Sequence, residues 1–310
     1  MEIRIGSRKS SLAMWQTCYV EDKLKQSGIT TSILPIDTRG DQVLNVAIAK
    51  IGSKGVFTEE LEAKLADGDI DIAVHSAKDM PSVLPDGFEL IAFTDREEPA
   101  DVLVSHKKDL DISDSSRPVT IGTSSVRRQA LLGRFYPHVR TVDIRGNVQT
   151  RVLKMKEGLC DAILMAYAGI HRMGMDDLIV HTFSPDTFIP PVGQGCIAVE
   201  ASSRLAAEKK EAIRACINHP ASETCLLAER AFLKRLEGGC SIPAFALARL
   251  NGDRLTLSGG LMSLDGKKFI FNTRAGAGSQ ATAIGTDLGN HVLENGGAAL
   301  LAEIRKQQTT

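Results

Sequence analysis

Four polar segments of this sequence combine hydroxyl and cationic side chains at short spacing, and one of them adds a carboxylate. They read GSRKS (residues 6–10), VHSAKDMPS (74–82), GTSSVRR (122–128) and IRGNVQTR (144–151). Each follows a strand-like run and precedes a helix or a turn. Backbone N–H groups and the helix dipole favour negative charge at such places. The segments therefore predict an anion-binding site.

The two adjacent arginines Arg127 and Arg128 predict, more specifically, that the bound anion carries several negative charges. Neighbouring residues on a helix point in different directions, so one solvated face does not account for both. Several arginines along one cleft suit a ligand with several carboxylates or phosphates. Residues 117–156 carry nine Lys or Arg and a single acid, which agrees with this interpretation. Helix capping accounts equally well for the preceding hydroxyl residues, Thr123, Ser124 and Ser125.

Asp79 is the one carboxylate within these four segments. An ion pair with Lys78 or with an arginine is its simplest role. A carboxylate surrounded by cations can instead stabilise a developing cation or help to move a proton. For His75, which lies in an apolar run, a hydrogen-bonded core position is the simpler interpretation.

Cys240 lies in LEGGCSIP (residues 236–243), directly after a helix-like run. Gly238 and Gly239 can adopt backbone angles that end a helix, which places the thiol on a turn. From these eight residues alone, a thiol that fills a small pocket is the favoured interpretation.

Length and composition exclude several classes of protein. The 310 residues predict about two domains, with three possible. No run approaches the roughly 18 apolar residues of a membrane span, and the first ten residues lack a secretory signal. The six cysteines form no C-x-x-C pair, and the net charge is −1. We therefore expect a cytoplasmic protein, or a processed organellar form, with reduced thiols, no metal site and no nucleic-acid partner.

Alternating strand-like and helix-like runs predict an α/β fold with two lobes and a smaller α+β C-terminal domain. NG and DG dipeptides in the last hundred residues separate apolar runs as hairpin turns do. The expected boundaries give a first lobe of residues 1–95 with 195–216, an arginine-rich second lobe of 96–194, and a third domain of 217–310.

Eight segments together resemble, in order, the hallmark motifs of the hydroxymethylbilane synthase family, also called porphobilinogen deaminase. They are GSRKSSLAMWQ, AKIGSKGVFTEELE, DIAVHSAKDMP, GTSSVRRQ, RGNVQTR, AYAGIHRMG, PPVGQGCIAVE and ERAFLKRLEGGCSIP. The resemblance covers about residues 3–245. It implies two periplasmic-binding-protein-like lobes and a third domain that anchors a dipyrromethane cofactor through a thioether to Cys240.

The resemblance also implies a transferase of tetrapyrrole biosynthesis, the route to haem, chlorophyll and cobalamin. Four porphobilinogen molecules are added to the cofactor, each losing ammonia, and hydrolysis releases the linear tetrapyrrole hydroxymethylbilane. The growing chain carries acetate and propionate groups, which calls for many arginines. We expect a monomer with porphobilinogen as its small-molecule substrate and no membrane partner.

Site residues follow from the same motifs. Asp79 is the expected catalytic residue, because it could stabilise cations formed as ammonia leaves and assist proton transfer. The cofactor-binding residues implied are Cys240, Lys78, Ser76, Thr123, Ser124, Ser125, Arg127, Arg128, Arg145 and Gly146. The substrate-binding residues implied are Arg8, Ser10, Lys54, Phe57, Arg145, Arg151, Arg172 and Gln194. An ordinary flexible loop is the alternative for Lys54 and Phe57.

Two other functions compete with this one. The lobes alone would suit a non-enzymatic anion-binding protein, since fold does not dictate function. That alternative leaves Cys240 and Asp79 unexplained. A hydrolase with a cysteine nucleophile would need a base beside Cys240, and the sequence offers only distant histidines such as His75 and His219.

Overall fold

The computed structural model describes residues 1–38, 58–239 and 241–309. The strands, in chain order, are β1 (Glu2–Arg8), β2 (Thr30–Ile36), β3 (Ile72–Ser76), β4 (Phe88–Phe93), β5 (Asp101–Val104), β6 (Thr120–Gly122), β7 (Arg140–Val142), β8 (Ala162–Ala166), β9 (Ile179–Thr182), β10 (Ile197–Ser202), β11 (Ala244–Asn251), β12 (Arg254–Met262) and β13 (Phe269–Ala277). The helices are α1 (Ser11–Gln26), α2 (Glu59–Asp67), α3 (Val126–Phe135), α4 (Val148–Lys156), α5 (Tyr167–Arg172), α6 (Ala207–Ile217), α7 (Pro220–Arg235), α8 (Ala281–Val292) and α9 (Ala298–Thr309). The predicted site residues Lys54, Phe57 and Cys240 lie outside the described residues.

Two five-stranded sheets form the two lobes. Their strand orders are β2-β1-β3-β10-β4 and β7-β6-β8-β5-β9. In each sheet four strands run parallel, and one strand, β10 or β5, runs antiparallel to its neighbours. The chain leaves β4 of the first sheet for β5 of the second, and returns from β9 to β10. Two crossovers, residues 94–100 and 183–196, therefore join the lobes, and the predicted two-lobed α/β fold is confirmed.

Burial on both faces explains the composition of the central strands. All residues of β5, β8 and β10 are buried, and their sequences are nearly continuous apolar runs, as expected of strands covered on both sides. Helix α1 covers the first sheet, where Val20 and Leu24 pack in the same core as Ile3 and Ile5. No described helix is both long enough and apolar enough to cross a membrane.

The C-terminal part is an antiparallel sheet of order β11-β12-β13 covered by helices. The predicted hairpins are present, with Asn251 paired to Arg254 at the first turn and Met262 paired to Phe269 at the second. Phe232 of α7 and Leu288 of α8 pack in one core with residues of the sheet. The residue boundaries of the three domains stay predictions.

One buried carboxylate ties this C-terminal sheet to both crossovers. Glu229 of α7 is 0% exposed and accepts two hydrogen bonds from Arg96, at 2.7 and 3.0 Å. The backbone N–H groups of Gly193 and Ala248 donate to the same carboxylate, at 2.9 and 2.8 Å. Arg96 belongs to the first crossover, Gly193 to the second, and Ala248 to β11. A fully satisfied buried ion pair therefore sets how the three parts meet.

Removing the charge of Glu229 should destabilise the protein strongly. Glu229→Gln leaves the Arg96 cation buried without its counter-ion, which costs about 3–5 kcal/mol of unfolding free energy. Chemical denaturation would measure the change. Glu303→Gln is the matched control, because its ion pair with Lys268 is about half exposed and such pairs contribute at most about 1 kcal/mol. Similar losses for both variants would contradict this role of Glu229.

Candidate active site

A cleft at the carboxyl ends of β1 and β3 brings four predicted site residues together. Arg8, Ser10, Ser76 and Asp79 line it, and it encloses about 420 Å³ of space that is partly open to solvent. Arg8 ends β1, Ser10 directly precedes α1, and Ser76 ends β3. Ligands of open α/β sheets bind at such strand ends. The strand ends thus place hydroxyl, cationic and acidic groups along one cleft, and the roles of these residues toward a ligand stay predictions.

Asp79 is exposed and lies in a single 3₁₀ turn, Ala77–Asp79, that follows β3. No described residue forms a hydrogen bond or ion pair with its carboxylate. The ion pair considered as its simplest role is therefore not formed with Lys78 or with a described arginine. A carboxylate that is not committed to a partner can face a ligand.

The second crossover holds the turn that carries Asp79. The N–H of Ala77 donates to the carbonyl of Cys196 at 3.0 Å. Gly193, with φ of +79°, packs so closely that a Cβ there would lie 2.8 Å from the carbonyl carbon of Ala77. Only glycine combines this left-handed backbone with that close approach. The turn is therefore fixed by backbone contacts.

Lys78 is half-buried beside Asp79, and no described carboxylate forms an ion pair with its ammonium group. Its Nζ donates to Oε1 of Gln194 over 3.4 Å. Burial lowers the pKa of Lys78 to about 8, and the Arg128 cation acts in the same direction. An anion bound here would stabilise the ammonium form, because opposite charge favours the ionised state.

Arg127 and Arg128 point into the protein and share one carboxylate, that of Asp101. Arg127 Nη2 lies 2.6 Å from Asp101 Oδ2, and Arg128 Nη2 lies 2.6 Å from Oδ1. Gln194 Nε2 donates to Oδ1 at 3.1 Å. Burial would raise the pKa of Asp101, but the two arginines hold it below its ordinary value. Sequence reasoning missed Asp101, and the roles of both arginines toward a ligand stay predictions.

Arg151 of α4 lies in the electrostatic field of Asp79. Its Nε donates to the carbonyl of Gly146 at 2.7 Å, and no described carboxylate pairs with it. Burial lowers the pKa of Arg151 to about 10, with Arg128 acting in the same direction and Asp79 opposing it. The second lobe thus presents a destabilised cation toward the carboxylate of the first.

The loop before α4 needs glycine. Gly146 has a φ of +118°, and a Cβ there would lie 2.6 Å from Cγ2 of Thr150. Its neighbour Arg145 accepts a hydrogen bond from Lys154 Nζ through its carbonyl oxygen at 3.1 Å, and the Arg145 cation contributes to lowering the pKa of Arg151. Both predicted residues therefore lie beside Arg151.

The hydroxyls before α3 do not cap that helix. Ser125 occupies the N-cap position without a side-chain cap bond. Thr123 Oγ1 accepts from the N–H of Ser125 at 3.3 Å, and Ser124 Oγ donates to the carbonyl of Ile144 at 3.0 Å. The capping interpretation is therefore wrong for these side chains, and Ser124 instead joins the loops after β6 and β7.

Arg172 does not line the cleft that contains Asp79. Its guanidinium lies over the ring of Trp15, 5.4 Å from the centroid, and donates to the carbonyl of Gly195 at 2.7 Å. Burial lowers the pKa of Arg172. Its substrate-binding role stays a prediction.

The donor set fits a polyanionic group better than a metal ion. Lys78, Arg151 and Arg172 are cations whose charged forms burial disfavours, and none has a described carboxylate within ion-pair distance. A bound carboxylate would supply that missing negative charge. Within the described ranges, no cluster of three or more His, Cys, Asp or Glu side chains could hold a metal ion.

Comparisons with known proteins identify the family to which this chain is similar. Residues 3–210 match the family described as porphobilinogen deaminase, dipyromethane cofactor binding domain, and residues 223–294 match its C-terminal domain. The chain is 51% identical to the porphobilinogen deaminase of Cytophaga hutchinsonii over 98% of this chain and 97% of that protein. It is 44% identical to that of Syntrophomonas wolfei over 98% and 99%.

Among solved structures, the methionine binding protein MetQ aligns with 69% of this chain and 89% of its own, at 11% identity and a TM-score of 0.44. The resemblance carried by the eight motifs is confirmed by the family matches, which span both lobes and the C-terminal sheet. The chain belongs to the porphobilinogen deaminase family.

Proposed function

We propose that this chain is a hydroxymethylbilane synthase that joins four porphobilinogen molecules, each losing ammonia, and releases the linear tetrapyrrole by hydrolysis. Family membership gives the reaction. The observation that carries the assignment to this cleft is the uncommitted carboxylate of Asp79, which follows Lys78 in the chain and lies in the electrostatic field of Arg151, two cations without a described carboxylate partner. A substrate with one ammonium and two carboxylates matches this charge arrangement.

The family's dipyrromethane cofactor fits the same surroundings. Its acetate and propionate groups match Lys78 and Arg151, whose cationic forms burial disfavours, and we assign these two residues and Arg145 to the carboxylates. Cys240, which lies outside the described residues, is the proposed thioether anchor. When bound, the cofactor supplies the primer pyrrole to which substrate units are joined. Gln194 would hold Lys78 in place for it, through the 3.4 Å contact.

Asp79 is the proposed catalytic residue. Loss of ammonia leaves positive charge on the substrate, and the carbon–carbon bond forms as a proton leaves the pyrrole carbon. A fixed carboxylate near both events can stabilise the cation and accept that proton. The backbone contacts of the 3₁₀ turn hold the carboxylate there before substrate arrives. Ser10 and Ser76 offer neutral hydroxyls along the same wall.

Asp79→Asn should abolish most turnover and leave the fold intact. The amide keeps the size of the side chain but removes its charge and its ability to accept a proton, so kcat should fall about 10²–10⁴-fold. The free energy of unfolding should change by less than about 0.5 kcal/mol, because the side chain is exposed and uncommitted. Asp86→Asn, an exposed carboxylate of the next loop, is the control. Normal turnover in Asp79→Asn would remove Asp79 from catalysis.

Cys240→Ser should lack a covalent dipyrromethane. Intact-protein mass spectrometry should show wild-type protein from tetrapyrrole-producing cells heavier than its sequence by one dipyrromethane, and Ehrlich's reagent should colour it. Cys18→Ser, which alters an exposed thiol, should keep both signals. An unmodified wild-type mass would contradict the proposed function and favour the non-enzymatic anion-binding alternative.

In Cys240→Ser protein, which lacks the covalent cofactor, affinity for a soluble dipyrromethane should fall as the pH rises through about 8, the pKa to which burial lowers Lys78. Below this value Lys78 is a cation and can bind a carboxylate, whereas above it the amine is neutral. Losing one charge-assisted hydrogen bond should raise the Kd about tenfold. A second change, Lys78→Arg, keeps the charge, so the Kd of that protein should stay flat over the same interval. Parallel Kd profiles for the two proteins would rule out Lys78 as the titrating group.

A further inference from the structure

One face of helix α7 lies against the segment that carries Asp79, and the proposed mechanism does not use it. Leu226 and Arg230 are four positions apart on α7, so they share that face. Leu226 is 0% exposed and packs in one apolar cluster with Ala77 and Met80. Because Met80 directly follows Asp79 in the chain, this cluster holds the backbone at the base of the carboxylate.

Arg230 makes a polar contact from the same face. Its Nη2 donates to the carbonyl of Pro81 at 2.9 Å, two residues after Asp79. Burial lowers the pKa of Arg230, and no described carboxylate lies within ion-pair distance of its guanidinium. A hydrogen bond from a charged donor is stronger than one between neutral groups. Among the described residues, the hydrogen-bond partner of this half-buried cation is therefore the loop that follows the Asp79 turn.

Glu229, the neighbour of Arg230, supports the same segment through the second crossover. Its carboxylate accepts from the N–H of Gly193 at 2.9 Å. Gly193 in turn packs directly on the backbone of Ala77. The contacts of α7 thus reach the chain on both sides of Asp79.

The C-terminal end of α7 leads toward the proposed cofactor anchor. The N–H of Gly238 donates to the carbonyl of Leu233 at 3.0 Å, and Glu237 has a φ of +49°. A left-handed residue followed by this hydrogen bond is the Schellman arrangement that ends many helices. Cys240 follows two residues after Gly238 in the sequence. Helix α7 therefore connects the segment before Cys240 to the turn of Asp79.

We propose that Arg230 is a positioning residue for the reaction: by holding the Pro81 carbonyl, it fixes the carboxylate of Asp79 against the helix that leads to Cys240. This role rests on the proposed function, which assigns the chemistry to Asp79. Each of the proposed additions uses the same carboxylate, so an error in its position would slow every one of them. Misplacing a reacting group by about 1 Å can lower a rate about 100-fold.

Hydrogen–deuterium exchange tests whether Arg230 holds the turn, independently of turnover. In Arg230→Met, the N–H groups of Ala77 and Met80 should exchange roughly tenfold faster, because the segment loses a charge-assisted hydrogen bond. Arg204→Met is the matched control, since Arg204 Nη2 also donates to a backbone carbonyl, that of Ala66, at 3.1 Å. The control should leave exchange at the turn unchanged. Unchanged exchange in Arg230→Met would overturn the proposal.

Steady-state kinetics give the functional readout. For Arg230→Met, kcat should fall about 10- to 100-fold, because a displaced carboxylate meets the reacting atoms less well. KM should change by less than about twofold, because Arg230 does not line the cleft. Arg230→Lys keeps a cationic donor and should recover most of the rate. A normal kcat, a rise in KM alone, or an Arg230→Lys variant no faster than Arg230→Met would contradict the positioning role.

Pro81→Gly is a second variant that leaves α7 intact and decides the question if Arg230→Met does not fold. Glycine frees the backbone that carries the accepting carbonyl, so exchange at the turn should rise and kcat should fall. In the double variant the two losses of kcat should be less than multiplicative, because both changes act on one contact. Losses that multiply, or normal exchange and kcat in Pro81→Gly, would overturn the proposal.

Two measurements separate this proposal from the proposed function. The intact mass of Arg230→Met should still include the dipyrromethane, because Cys240 is unchanged. Its absence would assign the lost turnover to cofactor assembly and overturn the positioning role. Wild-type protein without synthase activity would instead overturn the proposed function, and the exchange experiment would still decide whether Arg230 holds the Asp79 turn.

Discussion

The buried carboxylate of Asp101 is the group on which the joined lobes depend. It is the first residue of β5, directly after one crossover, and is 0% exposed. Arg127 and Arg128 of α3 and Gln194 of the other crossover all donate to it. A charge this deeply buried is tolerated only when it is paired and fully hydrogen-bonded. One carboxylate therefore fixes both crossovers and the second lobe's arginine helix together.

The cationic side chains around Asp101 outnumber the carboxylates. Two arginines share a single carboxylate, and Lys78 adds a third cation within their electrostatic reach. Arg151 lies in the field of Arg128 as well. The fold cannot neutralise this charge with the described residues, and burial makes each uncompensated cation more costly. The excess of cations is thus a consequence of how the lobes are joined, and the proposed carboxylate ligand would complete a charge balance that the scaffold leaves open.

Local patterns were enough to predict the architecture and the polar strand ends. Short segments of the sequence are enough to recognise strand and helix periodicity, the hairpin dipeptides and the residues that line the Asp79 cleft. They are not enough to recognise the partners of the arginines, which lie far away along the chain. Asp101 lies 26 residues from Arg127, and Glu229 lies 133 residues from Arg96. A polar segment does not reveal which of its cations will pair with a carboxylate inside the protein. One usable signal was present, because Asp101 begins the buried run DVLV.

The second crossover explains why the carboxylate and its cations keep fixed relative positions. Cys196 accepts from the turn that carries Asp79, and Gln194 contacts both Lys78 and Asp101. Gly195 accepts from Arg172 of the second lobe. Each contact involves backbone groups or a buried side chain, so a ligand meets charges that are already oriented. Such preorganisation would serve the proposed catalytic role of Asp79, because no reorganisation is needed when positive charge develops beside a fixed carboxylate.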